Sequence, residues 1–277
     1  MNRLRAEIEP VSPADFTRFL FAWQHVTNKL TGVDGLRAIL HQLDGFEVPA
    51  AAWERFVLPV RIDRYDPSQL DLLCLSGEFG WAQVSSGIAL FPREHCAAWL
   101  SVAQAILPAL SPDALAIIDR LRAGGASFLE QSDALDELVN AGLITSDGFV
   151  GRRSAGRWSL LPDPTADVDV QARAFLRRYG IVFRRMLTRE SNAAPWRELA
   201  RIYRRLEARG EIRGGRFVNG MSGEQFALPE AVERLREIRR TERDGKLIII
   251  NAADPLNLAG ILTPDDRVRA IPANRIA

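Results

Sequence analysis

The sequence predicts a helix-rich α+β chain, on three observations. Apolar residues recur at helical spacing behind Ser-Pro and Asp-Pro starts, two such helices run into short strand pairs turned by Gly, and Pro, Gly and Asp punctuate the joins. With 47% hydrophobic and 26% charged residues in 277, the chain can bury several small cores, which excludes disorder as its main state.

The elements follow in order. Ser12 is an N-cap candidate before Pro13 and Asp15, and Phe16, Phe19, Leu20 and Trp23 share one face, so a helix is expected over 12–26. The same reasoning predicts helices over 32–43, 49–62 and 66–79, a short strand at 81–84, a helix over 92–106 and a boundary at 108–112. From Ser111 the pattern is helix, short helix, helix and a strand pair. Leu135, Leu138 and Val139 line one helix face, Gly142 ends the helix and a TSDG turn follows, the pattern of the third helix and wing of a winged-helix unit.

After a linker rich in Pro and Asp (161–169), Pro195 opens a helix that places Leu199, Ile202, Tyr203 and Leu206 inward and stops at Gly210. Arg197, Arg201, Arg204 and Arg205 lie off that stripe, and a hairpin around NGMSG (219–223) carries Arg213 and Arg216 near its start. Helix plus hairpin again reads as a winged helix. A charged helix over 229–243 and an apolar run at 246–252, expected as a buried strand, come next.

The net charge of +1 conceals polarity along the chain. Residues 1–170 carry 14 basic and 22 acidic side chains, residues 171–216 carry 13 Arg against 4 Glu, and residues 217–277 balance 9 against 9. A local excess of arginine is a candidate footprint for nucleic acid, because guanidinium groups bind phosphates bidentately and release condensed counterions. The interface candidates are Arg197, Arg201, Arg204, Arg205, Arg213 and Arg216, with Trp196 as a base-stacking candidate beside them. The bland alternative is a solvated face partly offset by Glu198 and Glu207, with the tryptophans packed in cores.

Other chemistries are limited by what the chain lacks. The only lysines, Lys29 and Lys246, each precede Leu, so no phosphate-binding GxxxxGK[ST] loop exists and no ATP site is expected in this chain. Cys74 and Cys96 form no CxxC, and His25, His41 and His95 do not recur at metal-ligand spacing, so neither a disulfide framework nor a zinc site is expected. No apolar run reaches the roughly 20 residues that cross a bilayer and no signal-peptide core leads the chain, which predicts a cytoplasmic protein without a membrane partner. Asp254 is the one carboxylate considered for catalysis. A strand end would project it toward a cleft, where it could steady an oxocarbenium-like sugar or position a water after base flipping. Asp before Pro is equally a turn former, as at Asp66 and Asp163.

Several strings resemble one family: SPADFTRFLFAWQHV, GFEVPAAAWERFVLPVRI, ALFPREH, LVNAGLITSDGF, RYGIVFRRML, PWRELARIYRRLEARGEIRGGRFVNGMSGEQFALPEAV and ADPLNLAGILTP. They are similar to the C-terminal region of bacterial large helicase-related (Lhr) proteins, over nearly the whole chain and most specifically in 175–264. In that family an ATP-driven 3′-to-5′ DNA helicase core precedes tandem winged helices and a β-barrel. The resemblance therefore implies a truncated accessory region without the motor, ATP and Mg2+ entering only through an absent core.

It implies four parts: a helical, first winged-helix-like region at 1–107, a shortened winged helix at 108–165 lacking most of its second helix and so poorly packed, the basic winged helix at 166–245, and an incomplete β-barrel start at 246–277. The function it implies is DNA binding in a helicase-related repair protein, on single-stranded DNA or a tailed duplex, with a helicase-core chain or a second copy as further partners. Uracil or damaged-base excision in the manner of winged-helix DNA glycosylases, with Asp254 as the carried-over catalytic candidate, is the alternative. An oligomerisation module is the third.

Overall fold

The computed structural model describes residues 9–85, 87–100, 109–149, 156–165, 167–243, 245–263 and 266–276. Its organising feature is one topology used three times. The first unit contains α1 (Pro13–Trp23), β1 (Leu30–Thr31), α2 (Gly32–Gln42), β2 (Glu47–Val48), α3 (Ala50–Ala52), β3 (Ile62–Asp63), α4 (Pro67–Leu75), β4 (Phe79–Gln83), β5 (Ile88–Pro92) and α5 (Cys96–Leu100). The second contains α6 (Pro112–Gly124), β6 (Ser127–Phe128), α7 (Asp133–Asn140), β7 (Ile144–Ser146) and β8 (Arg157–Leu160). The third contains α8 (Val168–Tyr179), β9 (Ile181–Phe183), α9 (Trp196–Ala208), β10 (Arg213–Gly215), β11 (Gln225–Ala227) and α10 (Pro229–Arg240), and β12 (Ile250–Asn251) and β13 (Arg275–Ile276) follow.

The sheets run β2-β5-β4, β6-β8-β7 and β9-β11-β10. In each, a strand from earlier in the unit (β2, β6 or β9) pairs with the second arm of a hairpin (β5, β8 or β11), and one helix (α4, α7 or α9) leads directly into that hairpin. This is the winged-helix arrangement, with the wing formed by antiparallel pairs such as Arg213 with Ala227 and Gly215 with Gln225.

Local chemistry explains the starts. Ser12, Asp66, Ser111 and Ser132 each accept a backbone N–H of the first turn of α1, α4, α6 and α7. The segment at 49–62 is a short helix that widens into a π-turn, Trp53–Val57, and Trp53 donates to the Ile88 carbonyl at 2.9 Å. The 92–106 helix begins as a 3-10 turn, Arg93–His95, and continues as α5; its residues beyond Leu100 lie outside the described set. The strand at 88–92 escapes sequence patterning because all five of its residues are buried.

Two expectations need correction. The second unit does lack a helix between β6 and α7, but it is not loosely packed. Leu121, Leu138, Val139, Ile144 and Trp158 are buried in a core continuous with the first unit. The wings dock edge to edge: Thr145 donates to the Trp81 carbonyl at 2.6 Å, Trp81 donates to the Gly148 carbonyl at 3.1 Å, and the Phe149 N–H reaches Asp71 of α4 at 2.8 Å. The run at 246–252 is not a buried strand throughout, since Leu247 and Ile249 are 73% and 55% exposed and only Ile250–Asn251 pairs, with Arg275–Ile276. Among the described residues no barrel closes at this end.

The third unit is completed by the start of the described chain. α1 lies against α10, Phe16 packs on Phe183 with ring centres 6.0 Å apart, and Val11 bridges to Val218 through its N–H to the Phe217 carbonyl at 2.8 Å. The first and third units are tied by buried charge. Arg178, fully buried, pairs with Glu190, donates to the Asp44 carbonyl and stacks on Phe46 and Phe175. Asp44, equally buried, accepts from Arg177 at 2.8 Å, Trp99 at 2.8 Å and the His95 ring at 2.7 Å.

Candidate nucleic-acid interface

The site is built on α9. Its inward stripe of Leu199, Ala200, Ile202, Tyr203 and Leu206 is buried, which fixes the rotation of the helix and turns Arg197, Arg201, Arg204 and Arg205 outward within one arc of about 100°. All four are exposed. Arg197, Arg201 and Arg205 line a single groove of 560 Å3 with Glu198, Ile202, Pro195 and Val168 at the start of α8. None of the three forms an ion pair among the described residues. The amino end of α9 has no side-chain cap, in contrast to α4 and α7, so its first N–H groups add to the positive character of that end.

The remaining candidates stand differently. Arg204 leans toward the wing and is held bidentately by Glu224, at 2.9 and 2.6 Å, which raises its pKa above the ordinary arginine value. Arg213 is exposed on β10. Arg216 is exposed beside a second groove of 360 Å3 lined also by Glu207, Gly214, Gly215, Glu224 and Phe226. A Cβ at 214 would come within 2.5 Å of a Glu207 carboxylate oxygen, so a side chain there would require that carboxylate to swing aside. Trp196 is half-buried against Tyr203 and Phe226, ring centres 6.0 and 6.4 Å away, and serves as packing. Gln225 stitches the wing: its carbonyl accepts from Phe217 and Val218, and its amide donates to Val218 and Met221.

Among the described residues, five of the 13 arginines in 171–216 are engaged by carboxylates: Arg173, Arg177, Arg178, Arg204 and Arg209. The raw charge count therefore overstates the available field. The equivalent helices sharpen the contrast, because α4 (PSQLDLLCL) and α7 (DALDELVN) contain no basic residue and α9 contains four arginines. Sequence reading missed Glu224, whose effect depends on a contact 20 residues away, and Val168, which reaches the groove from another helix.

Asp254 does not project into a cleft. It is 1% exposed, and both its oxygens face the fully buried Arg61 guanidinium at 2.6 and 2.8 Å. Arg61 also donates to Gln24 and the Val57 carbonyl, and the Leu256 N–H closes on Asp254 at 2.9 Å. Burial pushes the Cys74 and Cys96 thiols up to about 12, which leaves them unreactive at neutral pH. No cluster of metal-ligating side chains forms among the described residues, and none of their helices is long and apolar enough to cross a membrane.

Residues 11–93 and 161–247 each match a family model described as large helicase-related protein, winged-helix domain. The chain belongs to the large helicase-related (Lhr) family. Two Lhr relatives are each 30% identical to it: the Mycolicibacterium smegmatis protein named Lhr helicase/probable uracil glycosylase, over 93% of this chain, and the Escherichia coli Lhr helicase/uracil glycosylase, over 95%. The chain spans about a fifth of the length of these Lhr proteins, 21% and 22%. In fold it is similar to the Streptomyces sahachiroi DNA glycosylase AlkZ, with a TM-score of 0.58 at 12% identity over 88% of this chain and 76% of that one.

Proposed function

We propose that this Lhr region binds DNA through the outer face of α9, with Arg197, Arg201 and Arg205 as the main phosphate ligands and Arg213 and Arg216 of the wing as flanking cations. The observation that carries the reading is the groove uniting three exposed arginines, without an ion pair among the described residues, on the one wing-leading helix of three that is basic. Single-stranded DNA or the strand of a tailed duplex is the expected ligand. Five such contacts would give log affinity a slope of about −3.5 against log salt on a single strand. The test is a titration by fluorescence anisotropy across salt concentrations, with Arg201→Glu/Arg205→Glu as the variant. Affinity independent of salt, or unchanged in the variant, removes the proposal. This chain's sequence offers no phosphate loop, so we assign it no ATP chemistry.

A second reading is excision of a uracil or damaged base, supported by the likeness in fold to AlkZ and by the names of the two relatives. For Asp254 to act in it, Arg61 would have to release the carboxylate, because a catalytic group must reach the reacting atoms. Incubation with single-stranded DNA containing one uracil, followed by alkali, tests this reading. An intact strand removes excision, and equal scission by a folded Asp254→Asn variant removes the role of Asp254.

A further inference from the structure

The cation field on the third unit is divided by acid. Arg197, Arg201 and Arg205 share the groove on the α8 side of α9, whereas Arg204 and Arg216 lie on the wing side beside Glu224 and Glu207. Along the first side the arginines recur every four residues, so each step advances about 6 Å along the helix axis, a step of the order of the phosphate separation along one strand. Base recognition has little to work with on this face. Trp196 is packed on Tyr203 and Phe226, and the exposed residues of α9 include no Asn or Gln to read an adenine edge.

We infer that one DNA strand runs parallel to α9 with successive phosphates on Arg197, Arg201 and Arg205 before it reaches the flanking wing cations, and that Glu224 withholds Arg204 from this contact. The inference rests on the DNA-binding reading above and specifies its register. Contact is to the sugar-phosphate backbone, so affinity is indifferent to base sequence. The Arg204–Glu224 pair is a positioning element: it narrows the track to one side of the helix.

The test uses the whole chain and an oligodeoxythymidine, which contains no guanine for arginine to read. Each neutralised phosphate accounts for about a threefold loss in affinity between 50 and 200 mM salt. Arg201→Gln should therefore flatten the salt slope by about 0.7, and Arg204→Gln should leave it unchanged. Glu224→Gln should tighten binding and steepen the slope by about 0.7, and in that background Arg204→Gln should now cancel the gain. Neutral methylphosphonate links placed at one, two and three adjacent positions should weaken binding in three steps. All substituted side chains are exposed, and circular dichroism melts verify that each variant is folded. Arg204→Gln as damaging as Arg201→Gln, or a Glu224→Gln variant with no gain, overturns the register and leaves DNA binding standing. Binding that no arginine variant alters overturns both.

Discussion

Asp254 and Arg61 stand 193 positions apart and meet with both partners sealed from water. Removing one member of such a pair strands the other charge in a low-dielectric interior, which costs about 3–5 kcal/mol, whereas replacing both with apolar side chains of similar volume is often tolerated. Asp254→Ala should therefore lower stability in urea denaturation by about that amount, and Arg61→Met/Asp254→Leu should recover most of the loss. A single variant as stable as the parent would show that the pair does not hold the 251–258 turn to the first unit. Gln225 is a smaller case. Its four bonds to the 216–224 loop predict that Gln225→Leu costs about 2–4 kcal/mol at roughly 1 kcal/mol per bond and speeds hydrogen exchange at Phe217 and Val218. None of these pairings is legible in sequence, because the partner of a lone charged or amide group is decided by the fold and not by spacing. Asp254 illustrates the point, since a strand end and an Asp-Pro turn are both compatible with the string ADPLN.

At the scale of elements, helices with explicit punctuation were readable. Ser12, Pro13 and Asp15 define α1, and the apolar spacing of Leu199, Ile202, Tyr203 and Leu206 defines α9 and its outer arginine face. What failed was the apolar run without alternation. IALFP is a strand with every residue buried, and KLIII is mostly exposed chain, and periodicity cannot separate the two. Pattern alone marks the winged helix in the second and third units, where a helix runs into a polar, Gly-turned hairpin, but not in the first, whose hairpin strands are almost wholly buried. Gly180 marks where elements converge: its φ is +67°, and a Cβ there would lie 2.8 Å from Ala231 Cβ and 2.9 Å from Phe19 Cζ. Gly180→Ala should cost about 1–2 kcal/mol for the backbone alone and about 1–3 kcal/mol more for overpacking. It should loosen α1 and α10 together, and a thermal melt unchanged from the parent would refute that.

For the whole molecule, Asp44 is the point at which the first and third units share charge, and it gives stability a dependence on pH. The hydrogen bond that the His95 ring donates to Asp44 raises the His95 pKa above its ordinary 6.5, against desolvation by burial and the opposing charge of Arg177 and with some help from Glu94. A raised imidazole contributes stability that is fully present below its unfolded value and is lost as pH rises through its folded value. Burial lowers His25 and His41, so their contribution is present above the unfolded value and is lost as pH falls. In an NMR titration, His95 should turn over above 6.5 and His25 and His41 below it. His95→Gln should then be more damaging at pH 5.5 than at pH 8, and equal damage at both would exclude the coupling.

The contact of α1 with α10 and of Val11 with Val218 has a temporal meaning. A ribosome releases the first of these segments more than 200 residues before the last, so the arginine-bearing unit cannot close until α10 has emerged. Until then α1 waits, its aromatic face uncovered, and nascent chains arrested short of residue 240 should expose Phe16, Phe19 and Trp23 to a chaperone or to limited proteolysis.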